Sequence, residues 1–143
     1  DKVVDLWNNG NMTVAEEIYA PDFKRISPMG TTTGIDEFKA GYDSMKKVYS
    51  DVKLTINDYW AKGDKVTVLW NFSATNTGPF AENMPATGKA FSNDGVSILT
   101  LKDGKIVNDW AAWDQLSIFT ELGYTLQPPQ MAEAETPAEN ATE

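Results

Sequence analysis

Asp114 is the residue of this chain best placed to move a proton. It follows a tryptophan-rich segment, IVNDWAAW, in a sequence of 143 residues with no histidine and no cysteine. That composition leaves no Cys nucleophile, no His relay and no transition-metal ligand set other than carboxylates. Proton chemistry therefore falls to Asp, Glu, Tyr, Lys or bound water. Asp114 shares strand parity with Ile106, Asn108, Trp110 and Ala112. On a regular strand its carboxylate faces with Trp110 toward the apolar side. Carboxylates desolvated between aromatic rings gain basicity, which suits removal of a proton beside a carbonyl. A second role is open to it, capping a helix that begins at Gln115.

The other acids offer less. Asp58 shares a face with Leu54, Ile56 and Trp60, but an unpaired buried carboxylate is costly and a strand-end acid more often turns to solvent. Asp109 falls on the opposite face from Asp114, toward solvent or a partner chain. Trp7, Trp60, Trp70 and Trp110 occupy apolar positions, where they either fill a core or shape a pocket for a flat or cyclic ligand. Trp113 alternates to the outer face, a plausible dimer contact. Tyr42 offers a hydroxyl to that pocket, or sits in the core with its hydroxyl at the rim.

The elements that must hold these residues follow from periodicity. Val3, Leu6 and Trp7 mark a first helix closed by Asn9-Gly10, and Thr13 with Glu16 signals a capping box for a second. Phe23 to Ser27 reads as extended, and Pro28 to Gly34 as a loop. Ile35, Phe38, Tyr42, Met45 and Val48 recur at steps of three and four, the stripe of a long helix capped by Thr33. The period then changes to two. Val52 to Trp60, Val66 to Ala74, about Lys89 to Leu101, and Ile106 to about Trp113 predict four long strands. Asp94-Gly95 suggests a bulge or bend, and Lys102-Asp103-Gly104 a tight hairpin. Leu116 to Leu122 predicts a last short helix. Helices followed by a strand meander point to an α+β architecture.

Composition bounds the partners. The formal charge of −9 argues against nucleic acid and anionic membrane, and no apolar run is long enough to span a bilayer. Residues 127–143 contain four Glu and no base, and lack periodicity. The expected organisation is one domain over 1–126 followed by an acidic, disordered tail over 127–143.

Trp7-Asn8-Asn9-Gly10-Asn11, Tyr19-Ala20-Pro21-Asp22-Phe23 and Gly34-Ile35-Asp36-Glu37-Phe38 form an ordered series of short motifs. It continues through Gly63-Asp64-Lys65-Val66, Trp70, Thr75-Asn76-Thr77-Gly78 and Pro85-Ala86-Thr87-Gly88-Lys89. It ends with Asp103-Gly104-Lys105-Ile106-Val107, Trp110, Trp113-Asp114-Gln115-Leu116 and Leu122-Gly123. Together they resemble the SnoaL-like polyketide cyclase (ester cyclase) family of the nuclear transport factor 2-like superfamily. The resemblance implies a cone-shaped, curved antiparallel sheet wrapped around N-terminal helices, the nuclear transport factor 2-like or cystatin-like α+β barrel. It implies a pocket for a small hydrophobic carbonyl compound, lined by Trp7, Phe38, Tyr42, Trp60, Trp70 and Trp110. The chemistry implied is cyclase, isomerase or lyase chemistry without metal or organic cofactor, typically an intramolecular aldol condensation with Asp114 as general acid/base. The family often has Thr-His-Thr-Gly where this chain has Thr75-Asn76-Thr77-Gly78, and a histidine near Lys24-Arg25-Ile26. Asn76 can donate a hydrogen bond to an enolate oxygen but cannot shuttle a proton. The alternative is a non-catalytic ligand-binding or dimerisation module. A homodimer or higher homo-oligomer is expected. The resemblance suggests a cytoplasmic protein, or an exported one if a signal peptide preceded Asp1.

Overall fold

The computed structural model describes residues 2–127; the acidic segment from 128 onward lies outside it. Helices α1 (Lys2–Asn9) and α2 (Thr13–Ile18) lead into strands β1 (Tyr19–Ser27) and β2 (Gly30–Thr33). Helix α3 (Gly34–Val48) follows, then β3 (Tyr49–Lys62), β4 (Lys65–Asn76), β5 (Ala90–Lys102), β6 (Lys105–Trp113) and α4 (Gln115–Glu121). The six strands form one curved sheet in the order β2-β1-β6-β5-β4-β3. The α+β class is as expected, with two refinements. The β1–β6 pair is parallel, and β2 and β3 remain as separate edges, so the sheet does not close.

Local chemistry accounts for most boundaries. The α3 stripe buries Phe38 and Tyr42 against the sheet. Thr33 precedes α3 without a side-chain cap, but Glu37 reaches back to accept from the Thr33 backbone N–H at 2.7 Å. The expected capping box at Thr13 does not form; its hydroxyl pairs with Asn11 Oδ1 instead. Asp103 and Gly104 both adopt positive φ, 52° and 78°, as the tight β5–β6 hairpin requires. Residues 30–33, expected as loop, pair with Lys24–Ser27 as β2. Asp94-Gly95 is not a bulge, since the β4–β5 register runs through it unbroken.

Two of the sheet's bulges decide what faces where along the distal half of β3 and along β6. Along β3, Ile56 pairs with Trp70 and Asp58 with Leu69, so Asn57 is an extra residue. Along β6, Ile106 pairs with Leu101 and Asn108 with Thr100, so Val107 is extra. One inserted residue flips every later side chain to the other face. The inward set on β6 is therefore Asp109, Ala111 and Trp113, while Asn108, Trp110, Ala112 and Asp114 face out. This inverts the alternation expected from the sequence. On β3 the same effect turns Asp58 and Trp60 outward.

The helices pack on the inner face. Leu6, Val14, Tyr19, Phe23, Phe38 and Ile106 form one buried cluster. Val52, Ala74, Phe91, Ile118 and Leu122 form a second, under α4.

Candidate active site

Among the described residues the inner face carries one buried ion pair. Arg25 on β1 and Asp109 on β6 are register partners on adjacent parallel strands, and the guanidinium donates from Nη1 to Asp109 Oδ2. Their side chains are only 16% and 3% exposed. The Arg25 guanidinium lies 5.5 Å over the Trp7 ring, a cation–π contact. Trp7 in turn meets Phe38, Tyr42 and Phe72 edge-on, with centroids 5.7, 5.9 and 6.2 Å away. Tyr19 stacks on Phe23 at 4.3 Å. Burial pushes the Tyr19 phenol well above its ordinary pKa, and the Asp109 charge pushes it further.

Asp109 Oδ1 is buried and has no hydrogen-bond partner among the described residues. An unsatisfied buried acceptor costs roughly 1–3 kcal/mol, and more for a charged group. A ligand donor placed there recovers that cost. Arg25 has five N–H donors in a fixed fork, so the same guanidinium can hold an anionic oxygen beside the carboxylate. A proton acceptor next to an oxyanion holder is the geometry that enolate chemistry needs.

Beyond this pair the inner wall is built from small and aromatic residues. Tyr59, Val68, Ser97 and Ala111 follow one another across β3, β4, β5 and β6. The Trp70 indole lies flat over Gly95 and donates to Ser97 Oγ at 3.2 Å. Trp113 packs 6.0 Å from Trp70 and donates to Gln115 Oε1. A cleft of about 340 Å³ opens between α1 and β3, lined by Lys2, Val3, Ile56 and Tyr59. No cluster of potential metal ligands occurs among the described residues.

The residues expected at the site are distributed differently. Asp114 is exposed on the outer face and caps α4, accepting from the Ser117 N–H at 3.0 Å. It borders a shallow outer groove of about 460 Å³ that also includes Leu69, Asp94, Val96 and Trp113. Asn76 is fully buried. Its Nδ2 donates to the Gly78 and Val48 carbonyls, and its Oδ1 accepts from Thr87 N and Oγ1. It ties the 77–88 connection to the sheet and does not face the Arg25–Asp109 pair. Trp7, Phe38, Tyr42 and Trp70 sit on the inner side, with the Tyr42 hydroxyl donating to the Trp7 carbonyl. Trp60 and Trp110 are turned out by the two bulges, and Trp113 is turned in, so the outer-face contact expected of Trp113 is corrected. No sequence motif marks Arg25, and regular alternation along β6 puts Asp109 outside; the bulge at Val107 turns it inward. The parity of Arg25 with Phe23 was the available signal for Arg25.

The SnoaL-like polyketide cyclase family model matches residues 1–122. The chain belongs to this family. TsrD from Streptomyces laurentii superposes on this SnoaL-like protein with a TM-score of 0.76 at 25% identity, covering 85% of this chain and 90% of that one. IdmH, a candidate polyketide cyclase from Streptomyces antibioticus, gives 0.75 at 21% identity, with coverages of 86% and 94%. AclR, a candidate hydroxylase from Streptomyces galilaeus, gives 0.74 at 22%, with 90% and 85%. The last two likenesses carry the nuclear transport factor 2-like fold alone, since one fold hosts several chemistries. No protein of curated function matches the sequence.

Proposed function

We propose that this SnoaL-like protein is a cofactor-independent cyclase or isomerase acting on a small hydrophobic carbonyl compound, with Asp109 as its general acid/base. The observation that carries this reading is the buried, unpartnered Asp109 Oδ1 beside a guanidinium that holds Oδ2. In a cyclisation, Oδ1 takes the proton from the carbon next to a carbonyl. Arg25 holds the resulting enolate oxygen. The enolate carbon attacks a second carbonyl of the same molecule, and the proton on Asp109 passes to the new alkoxide. No atom is gained or lost. Trp7 keeps water from the guanidinium and offers a flat apolar wall to the substrate. Asp114 and Asn76 then serve the scaffold, one as a helix cap and one as a loop anchor.

The test is turnover of a linear ester with an enolisable 1,3-dicarbonyl unit, followed by chromatography of the ring-closed isomer. Asp109→Asn should lower kcat at least ~100-fold, within the usual range for loss of a general base, while Asp114→Asn keeps turnover. Full activity in Asp109→Asn, or loss confined to Asp114→Asn, overturns the assignment.

A further inference from the structure

Across β1, β6 and β5 the inner face sets three polar side chains in order. Arg25 is the register partner of Asp109, which stands opposite Leu99 on β5. Two residues further along β6, Ala111 stands opposite Ser97. Ser97 and Asp109 are therefore diagonal neighbours on one face, with backbones about 7–8 Å apart. Both are buried, at 7% and 2% exposure. Ala111, which adjoins both, contributes only a methyl to the wall between them.

Ser97 has an unspent donor. The Trp70 indole N–H donates to Ser97 Oγ at 3.2 Å. An indole nitrogen can only donate, so this bond occupies an oxygen lone pair and turns the Ser97 proton elsewhere. Among the described residues that proton has no acceptor. Asp109 Oδ1, on the same face, has no donor. The two groups do not bond to each other, and a substrate lying between them can engage both.

We infer that Ser97 is a further catalytic residue that holds the substrate's second carbonyl, the one an enolate attacks, an inference that rests on Asp109 as the general base. Asp109 stands in the middle, with Arg25 on one side for the enolate oxygen and Ser97 on the other for the attacked oxygen. Reacting carbons approach to about 3–3.5 Å. Each oxygen then takes its donor at about 2.8 Å, which suits holding groups on strands at this spacing. As the carbon–carbon bond forms, the carbonyl π pair becomes an alkoxide lone pair. The Ser97 hydrogen bond strengthens with that charge, so it lowers the barrier instead of merely binding substrate. Asp109 returns its proton to the alkoxide, and Ser97 keeps its own. Trp70 is a positioning residue here, because its N–H limits where the Ser97 hydroxyl can point.

Two assays separate this role from that of Asp109. Deuterium uptake beside the carbonyl of acetophenone, followed by NMR in deuterium oxide, needs only the base and Arg25. Ring closure of the linear dicarbonyl ester needs Ser97 as well. Ser97→Ala should lower kcat for closure ~100-fold, the size expected for losing one donor to an oxyanion, while keeping most of the parent's deuterium uptake. Asp109→Asn should lose both. Far-UV circular dichroism reports whether the alanine variant is folded. Ser97→Cys, with a similar shape and a weaker donor, should give an intermediate ratio of closure to uptake, and it carries the test if the alanine variant is not folded. Closure at the parent rate in Ser97→Ala, or the parent ratio in Ser97→Cys, overturns the assignment. Equal loss of closure and uptake in Ser97→Ala also overturns it, since that is the mark of a purely structural serine. Uptake that survives in Asp109→Asn overturns the general base itself, and the role of Ser97 with it.

Discussion

Arg25 and Asp109 stand side by side on parallel strands, paired through one carboxylate oxygen while the other, equally buried, has no partner among the described residues. Half of the carboxylate is held and half is left available. The pair therefore serves both the fold and the proposed chemistry, and its two functions separate experimentally.

Removing either partner should be costly. Arg25→Ala leaves Asp109 buried and uncompensated, and a loss of about 3–5 kcal/mol is expected. Urea denaturation measures it. Asp109→Asn keeps the volume and should lose less stability than Arg25→Ala while losing turnover.

Asp114→Ala should cost about 1 kcal/mol through loss of the α4 cap. Hydrogen exchange should quicken in 115–121 and stay unchanged in β1. A variant as stable as the parent would show that the Ser117 contact contributes nothing.

Asn76→Ala strands the buried Gly78 carbonyl and the Thr87 N–H, both held by the Asn76 amide. About 3 kcal/mol should be lost, from two unsatisfied groups. The 77–88 connection should become the fastest-exchanging inner segment. Unchanged protection of Thr87 contradicts the anchor role.

Gly95→Ala places a methyl 2.1 Å from the Trp70 ring. Overpacking of this kind costs about 1–3 kcal/mol, and the Trp70 ring must leave Ser97. A lower thermal midpoint with a shifted tryptophan emission maximum is expected.

Stability should fall in alkali. Burial raises Tyr49 from 10.0 to about 12 and moves Tyr19 in the same direction. The unfolded chain releases these protons first, so unfolding gains with pH. The contribution is intact below pH 10.0 and declines as pH rises toward about 12. Urea midpoints between pH 9 and 12 should fall less steeply in Tyr49→Phe than in the parent; an equal slope removes Tyr49 as a cause.

Hydrophobic periodicity determined the α3 stripe from Ile35 to Val48, the four long strands and the final helix, and the Asp-Gly pair determined the tight turn at Asp103-Gly104. Ordered short motifs carried the SnoaL-like family. These signals are local, because a helix face or a hairpin needs only neighbours in sequence. The faces of β3 and β6 were not legible. IVNDWAAW has apolar residues at both parities, so a strand without a bulge and one with a bulge at Val107 fit the pattern equally well. Pairing with Leu101 and Thr100 selected the bulge, and Arg25, 84 positions from Asp109 in the chain, supplied the charge that lets a carboxylate be buried there. Trp110 and Asp114 went outward by the same one-residue shift. Tertiary structure decided the inner side of each strand because side-chain alternation has a period of two, and a single inserted residue reverses it.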